Sequence, residues 1–225
     1  QALSLDRNLA PARYNLGSLY LDQHNFSAAI TELTTFTSLD SKNPDGWLKL
    51  GTAQMQLASV VSASDKNRWL DAAKKNLETA QKLRSSAEIF NAMGLLQIQR
   101  GRPRDAVPNF TAALQQEPTY APAMLNLAVV YHQYLNERRQ ALMNYRQYLN
   151  VVKDSPEAAQ IQQVVRQLDS ELNPQAPASN PAPVIVARPP ANKPAPTVVA
   201  KAEPNLPKPV ATPKPAPVIA SPKAL

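Results

Sequence analysis

Leu16 and Gly17 recur 34 residues on as Leu50 and Gly51, and Met93 and Gly94 recur at the same interval as Leu127 and Ala128. Such a period constrains the fold more than composition does. Each unit is one supersecondary element that buries its apolar face only against a copy of itself. Four copies are visible. In each, a small residue (Gly17, Gly51, Gly94, Ala128) follows an apolar one, and a second segment carries alanine, a large apolar residue four later and a third contact three after that. These sets are Ala29, Leu33, Phe36; Ala73, Leu77, Ala80; Ala106, Phe110, Ala113; and Ala141, Tyr145, Tyr148. Steps of three and four put the side chains on one helix face. A glycine inside a helix costs about 1 kcal/mol relative to alanine, so Gly94 needs a packing reason, such as another backbone approaching too closely to admit a side chain where the two segments of one copy cross.

The best-preserved copy is AEIFNAMGLLQIQRGRPRDAVPNFTAALQQEP, residues 87–118. It resembles the tetratricopeptide repeat in its aromatic, its small residue after an apolar one, and its later Ala, Phe and Pro. Met93 replaces the leucine and Gln97 the tyrosine. Trp47, Leu50 and Gly51 carry the first half of the pattern in the second copy, and Tyr20 and Tyr131 supply the tyrosine in the first and fourth. Arg13 replaces the aromatic of the first copy. The resemblance spans roughly 2–155. It implies an all-α fold: a right-handed solenoid of antiparallel helix pairs, with about four repeats at 10–43, 44–86, 87–120 and 121–155.

The second repeat is longer than the others. Gly51 to Ala73 is 22 residues, against 12 for Gly17 to Ala29 and for Gly94 to Ala106. The excess around ASVVSASDKNR reads either as lengthened helices or as a partner-contacting loop. Gly101 suits a left-handed cap and Pro103 the first turn of the next helix, while Pro108, beyond that turn, predicts a kink or a 3₁₀ start. Carried backward, the register puts Ala2 and Leu5 where a preceding repeat would end, so 1–9 reads as the end of one and the chain as N-terminally truncated. Ser155, Pro156 and Glu157 form a helix start, and Ile161, Val164, Val165, Leu168 and Leu172 form one apolar stripe. Residues 156–173 read as a capping helix.

Composition changes near Asn173. Fifteen of the 22 prolines lie from Pro174 onward, whereas all five glycines and all 13 aromatic residues lie before it. Such a segment buries too little apolar surface to offset its ordering entropy, so 174–225 reads as a disordered Pro/Ala/Lys-rich tail. Six bases (Arg188, Lys193, Lys201, Lys208, Lys214, Lys223) against Glu203 give it +5 of the net +7. Its prolines favour polyproline II. It reads as a spacer or tether, or as a ligand for proline-binding or anionic partners. It looks like the Pro-Lys-rich spacers of some bacterial envelope proteins, which points to a bacterial cytoplasm or cell envelope. The absence of cysteine excludes disulfides and thiolate chemistry.

No phosphate loop, His-Glu-x-x-His or nucleophile elbow occurs, and nothing suggests a cofactor or a metal. His24, at a turn, and His132, in a first helix, read as surface or groove residues. Well-spaced single lysines without aromatics do not suit nucleic acid, and no apolar run is long enough to span a membrane. The resemblance implies a non-enzymatic scaffold with a concave groove lined by first helices. Counted from the buried positions, the groove columns are Tyr14, Ser18 and Leu21; Leu48, Thr52 and Met55; Asn91, Leu95 and Ile98; and Leu125, Val129 and His132. A capping helix or insert covering them is the competing reading. Mostly apolar columns suit a peptide or an amphipathic helix from a protein partner. Some relatives grip the carboxylate tail of chaperones with clustered Lys, Arg and Asn. Here Lys49 is the right kind of residue, but Leu48, Ala92 and Pro122 stand where polar partners belong. Two alternatives from other classes are a piece of a larger enzyme and a tail-driven binder of an anionic surface.

Overall fold

The computed structural model describes residues 9–174, so the readings of 1–8 and of the tail beyond 174 lie outside it. Among the described residues there are nine α-helices and no strand. They are α1 Ala10–Asp22, α2 Phe26–Leu39, α3 Pro44–Val60, α4 Ala63–Leu83, α5 Ala87–Gln99, α6 Pro103–Gln116, α7 Ala121–Val129, α8 Arg138–Val151 and α9 Pro156–Leu172. Side chains at the entrances satisfy amide groups that would otherwise lack partners. Asn43 accepts from Asp45 and Gly46 at the start of α3, Ser86 from Ile89 at α5, and Ser155 from Ala158 at α9. Prolines occupy the first turns of α1, α3, α6, α7 and α9, where a missing N–H costs nothing.

Each odd helix up to α7 packs on the even helix that follows, and each of α2, α4 and α6 packs on the next odd one. The core is therefore a chain of local clusters along a helical-hairpin solenoid. Within each hairpin the small residue of the first helix lies under the large apolar residue of the second. A Cβ on Gly94 would come within 2.5 Å of the Phe110 ring, one on Gly17 within 2.7 Å of Leu33, and one on Gly51 within 2.9 Å of Leu77. The gap is thus filled by a side chain rather than by backbone alone.

The turns share a device. Gly101 has φ +73°, with its N–H on the carbonyl of Ile98 and that of Arg102 on Gln97, the Schellman arrangement. His24, at φ +57°, repeats it after α1, with its own N–H on Leu21 and that of Asn25 on Tyr20.

The long second repeat is built as lengthened helices: α3 has 17 residues and α4 has 21, against 13 in α1 and 14 in α2. Pro108 sits exposed inside α6, which is α-helical from Pro103 onward, so the 3₁₀ start is not formed. Arg13, in place of an aromatic, pairs with Glu32 of α2.

The fourth repeat departs from the others. After Val129 the chain winds as a π turn, Val130–Tyr134, with the N–H of Leu135 on the carbonyl of Val130. The spacing explains it. Ala128 to Ala141 is 13 residues, one more than in the first and third repeats, and a π turn absorbs one extra residue without breaking the helix. It carries His132, whose ring meets Tyr145 edge to face at 5.9 Å. Helix α9 closes this end. Leu168 enters a cluster with Leu125, Val129, Leu142 and Tyr145. Tyr148 donates to Glu157, Arg146 grips both oxygens of Asp169, and Arg138 pairs with Glu171.

Two outcomes test this packing. Gly94→Ala should destabilise the protein by about 1–3 kcal/mol through overpacking, although propensity alone predicts a gain of about 1 kcal/mol, and Phe110→Leu in that background should restore part of the loss in urea unfolding. Burial holds the His132 pKa below its ordinary value; Glu171 opposes this shift and Arg138 adds to it. The folded state therefore binds this proton less readily than the unfolded chain, and stability should fall as pH drops below about 6.5. Denaturant midpoints between pH 7.5 and 5.5 should flatten in His132→Phe.

Candidate functional site: a groove along three first helices

Helices α1, α3 and α5 lie side by side because the even helices space them from behind, and their outward stripes line a groove of about 580 Å³. The stripe follows the helical step of four: Leu48, Thr52 and Gln56 on α3, then Asn91, Leu95 and Gln99 on α5. On α1 it is Tyr14, with Leu21 and Asp22 at the far end. Helix α5 has 13 residues, so the groove is about 20 Å long at 1.5 Å per residue.

Seven of the twelve expected residues line this groove: Tyr14, Leu21, Leu48, Thr52, Met55, Asn91 and Leu95. Two of the seven give it little surface. Met55 is buried, and Asn91 is 3% exposed, its side-chain oxygen accepting from Asn126 at 2.9 Å. Ser18 is half-buried outside the groove and hydrogen-bonds the carbonyl of Tyr14. Ile98 packs with the Phe110 cluster, because a step of seven turns it inward where a step of eight brings Gln99 to the surface.

The fourth column is corrected more strongly. Leu125 is 2% exposed and Val129 is 9% exposed, both in the cluster that α9 completes. His132 stands against Tyr145, its Nδ1 3.4 Å from the tyrosine hydroxyl. Leu125 and Val129 are thus turned into the cluster shared by α7, α8 and α9, and the groove runs along α1, α3 and α5.

Several lining residues lie beyond the columns. Asp45 and Glu88 stand three positions before Leu48 and Asn91, in the first turns of α3 and α5. Asp22, Gln56 and Gln99 border the opposite end, with His24 and Phe26 beside them. The apolar middle is therefore bracketed by polar ends. A count extended one helical step each way would have found these residues. Tyr120, the residue before α7, had no such signal: packing brings it beside Glu88. Burial, then Glu88 and Glu117, push its pKa up to about 12, so the phenol stays protonated at neutral pH. Its hydroxyl and the side-chain oxygen of Gln99 are buried without a hydrogen-bond partner among the described residues.

The electrostatics of the groove are acidic. Lining carboxylates are Asp22, Asp45 and Glu88, against the single ammonium of Lys49. Lys49 sits 5.4 Å above the Tyr14 ring, and Asp45 is paired with Arg84. Burial raises the Tyr14 pKa, as does Asp45, while Arg84 opposes them. Among the described residues no cluster of metal-ligating side chains occurs and no helix is long and apolar enough to cross a membrane.

Two family models described as tetratricopeptide repeat match residues 14–76 and 97–164, together more than half of the 225-residue chain. No curated protein matches the sequence. Among solved structures, a thermophilic TPR protein of Thermus thermophilus is similar over 74% of this chain and 84% of its own, with 20% identity and a TM-score of 0.63. MamA is similar over 67% and 82%, with 21% identity and a TM-score of 0.56. YrrB, described as a TPR protein with an unusual peptide-binding site, is similar over 78% and 84%, with 14% identity and a TM-score of 0.53. These likenesses establish the fold. The chain belongs to the tetratricopeptide repeat family, whose repeats are in general non-catalytic scaffolds for protein–protein interaction.

Proposed function

We propose that the chain is a non-enzymatic scaffold that binds a peptide or helical segment of a protein partner in the groove along α1, α3 and α5, with residues 174–225 as spacer or tether. One observation carries this reading. A half-buried apolar middle, with Leu48 and Leu95 at its centre, is bracketed by polar residues, Asp45 and Glu88 at one end and Asp22, Gln56 and Gln99 at the other. Apolar side chains of a bound segment would cover the leucines, and its main chain would meet the exposed polar groups at the two ends. A fold-level likeness to a protein with a peptide-binding site is compatible with this.

The groove is open on one side and offers no nucleophile paired with a base, so its chemistry is recognition. Binding would rest on a few apolar anchors, with the polar rim setting orientation. A spacer of 52 residues would extend at most on the order of 160 Å at about 3.1 Å per residue.

The test is comparative affinity capture by the full chain and by its Thr52→Lys, Leu95→Lys variant, with circular dichroism melts to show that both fold. A partner retained by the first and reduced at least tenfold with the second is the expected result. Equal retention would sink the groove reading. Tyr120→Phe should leave stability unchanged or raise it, since a buried unpaired hydroxyl is removed, as denaturant midpoints would show.

A further inference from the structure

The tail contains a repeat of its own. PAPVIVAR at residues 181–188, PAPTVVAK at 194–201 and PAPVIASPK at 215–223 share Pro-Ala-Pro, then two or three mainly β-branched apolar residues, then a base. Spacing alone needs no such cassette, because alternating proline and lysine would serve as well. Each cassette joins an apolar pair to a positive charge, and the groove joins an apolar floor to uncompensated carboxylates.

We infer that these cassettes are ligands for the groove of the same chain, so that the tail occupies the partner site intramolecularly. This rests on the reading of the groove as a binding site and names its occupant. Charge supports it. Asp45 is taken by Arg84, but Asp22 and Glu88 form no ion pair among the described residues and share the groove with one ammonium, Lys49, and the tail carries six bases against Glu203.

The dimensions agree. Glu88 to Leu95 on α5 is a rise of about 10 Å. Val198 to Lys201 would span about 9 Å if extended at about 3.1 Å per residue. One cassette can therefore set its apolar pair over Leu48 and Leu95 and its base beside Glu88. Eight residues extend about 25 Å, close to the length of the groove.

Reach is sufficient. The described chain ends at Pro174, just past α9. Helix α9 lies two first-helix positions beyond α5, about 20 Å away at ordinary interhelix spacing. The second cassette begins 20 residues after Pro174, a span of up to about 66 Å. The third begins 41 residues after it.

A tethered ligand at an effective concentration of about 1 mM with an intrinsic Kd near 100 μM would weaken an outside ligand about tenfold. The device sets a threshold: a partner must outbind the tail.

The experiment is fluorescence anisotropy of a labelled synthetic peptide of residues 194–201 against the full chain and against Ile185→Asp, Val198→Asp, Ile219→Asp, which disarms all three cassettes. The peptide should bind the disarmed chain about tenfold more tightly, and Thr52→Lys in that background, checked for folding by its melt, should remove the binding. No binding to either chain, equal binding to both, or indifference to Thr52→Lys would overturn the inference. So would sedimentation showing that the native chain self-associates and the disarmed chain does not, because the tail would then act between copies. Groove-dependent capture of a separate protein would survive all of these, so failure here leaves the proposed function standing.

Discussion

The structure depends on one contact repeated along the chain: a bulky side chain of a second helix seated over a residue with little or no side chain on the first. Leu33 over Gly17, Leu77 over Gly51 and Phe110 over Gly94 bring each hairpin together, and Ala128 and Tyr145 share the corresponding cluster in the fourth. The contact decides which face of each first helix is left over. With one side committed to its hairpin partner and the flanks to neighbouring repeats, the remaining stripe has only the concave side to face. Recognition surface and stability thus come from the same periodicity, which is why a solenoid can vary its groove residues while keeping its hairpins.

The array is not uniform, and its irregular end sets the extent of the groove. One extra residue between Ala128 and Ala141 is taken up as a π turn, and α9, packed on α8, brings Leu168 into the cluster that holds Leu125 and Val129. Arg146, Arg138 and Tyr148 secure that helix through exposed or partly buried polar contacts, each of which contributes modestly compared with the apolar seal. The groove therefore ends before the fourth repeat.

Much of this was legible in the sequence. The period, the paired small and large residues, the Gly101 cap and the capping stripe follow from spacing and conformational preference. Ile98 was misassigned because a step of seven and a step of eight differ by 100° around a helix, and only the neighbouring Phe110 cluster decides which faces inward. The polar rims at Asp45, Glu88, Gln56 and Gln99 were readable but lay one helical step beyond the counted columns. Burial of Leu125 and Val129 depends on how α7, α8 and α9 pack together, a tertiary fact. Placement of Tyr120 beside Glu88 across a repeat boundary leaves no local mark at all. The 13-residue spacing was visible, and it predicts an extra residue to absorb without saying that a π turn absorbs it.

The central claim is that recognition happens on the concave stripe of α1, α3 and α5. The most direct measurement places a photo-crosslinking residue at Thr52 in one full-length chain and at Thr79, half-buried on the outer helix α4, in another, and maps the adducts by mass spectrometry. The account predicts adducts from position 52, to a partner segment or to the chain's own tail, and none from position 79. Adducts from position 79 with none from position 52 would contradict it and move the interaction surface to the convex side.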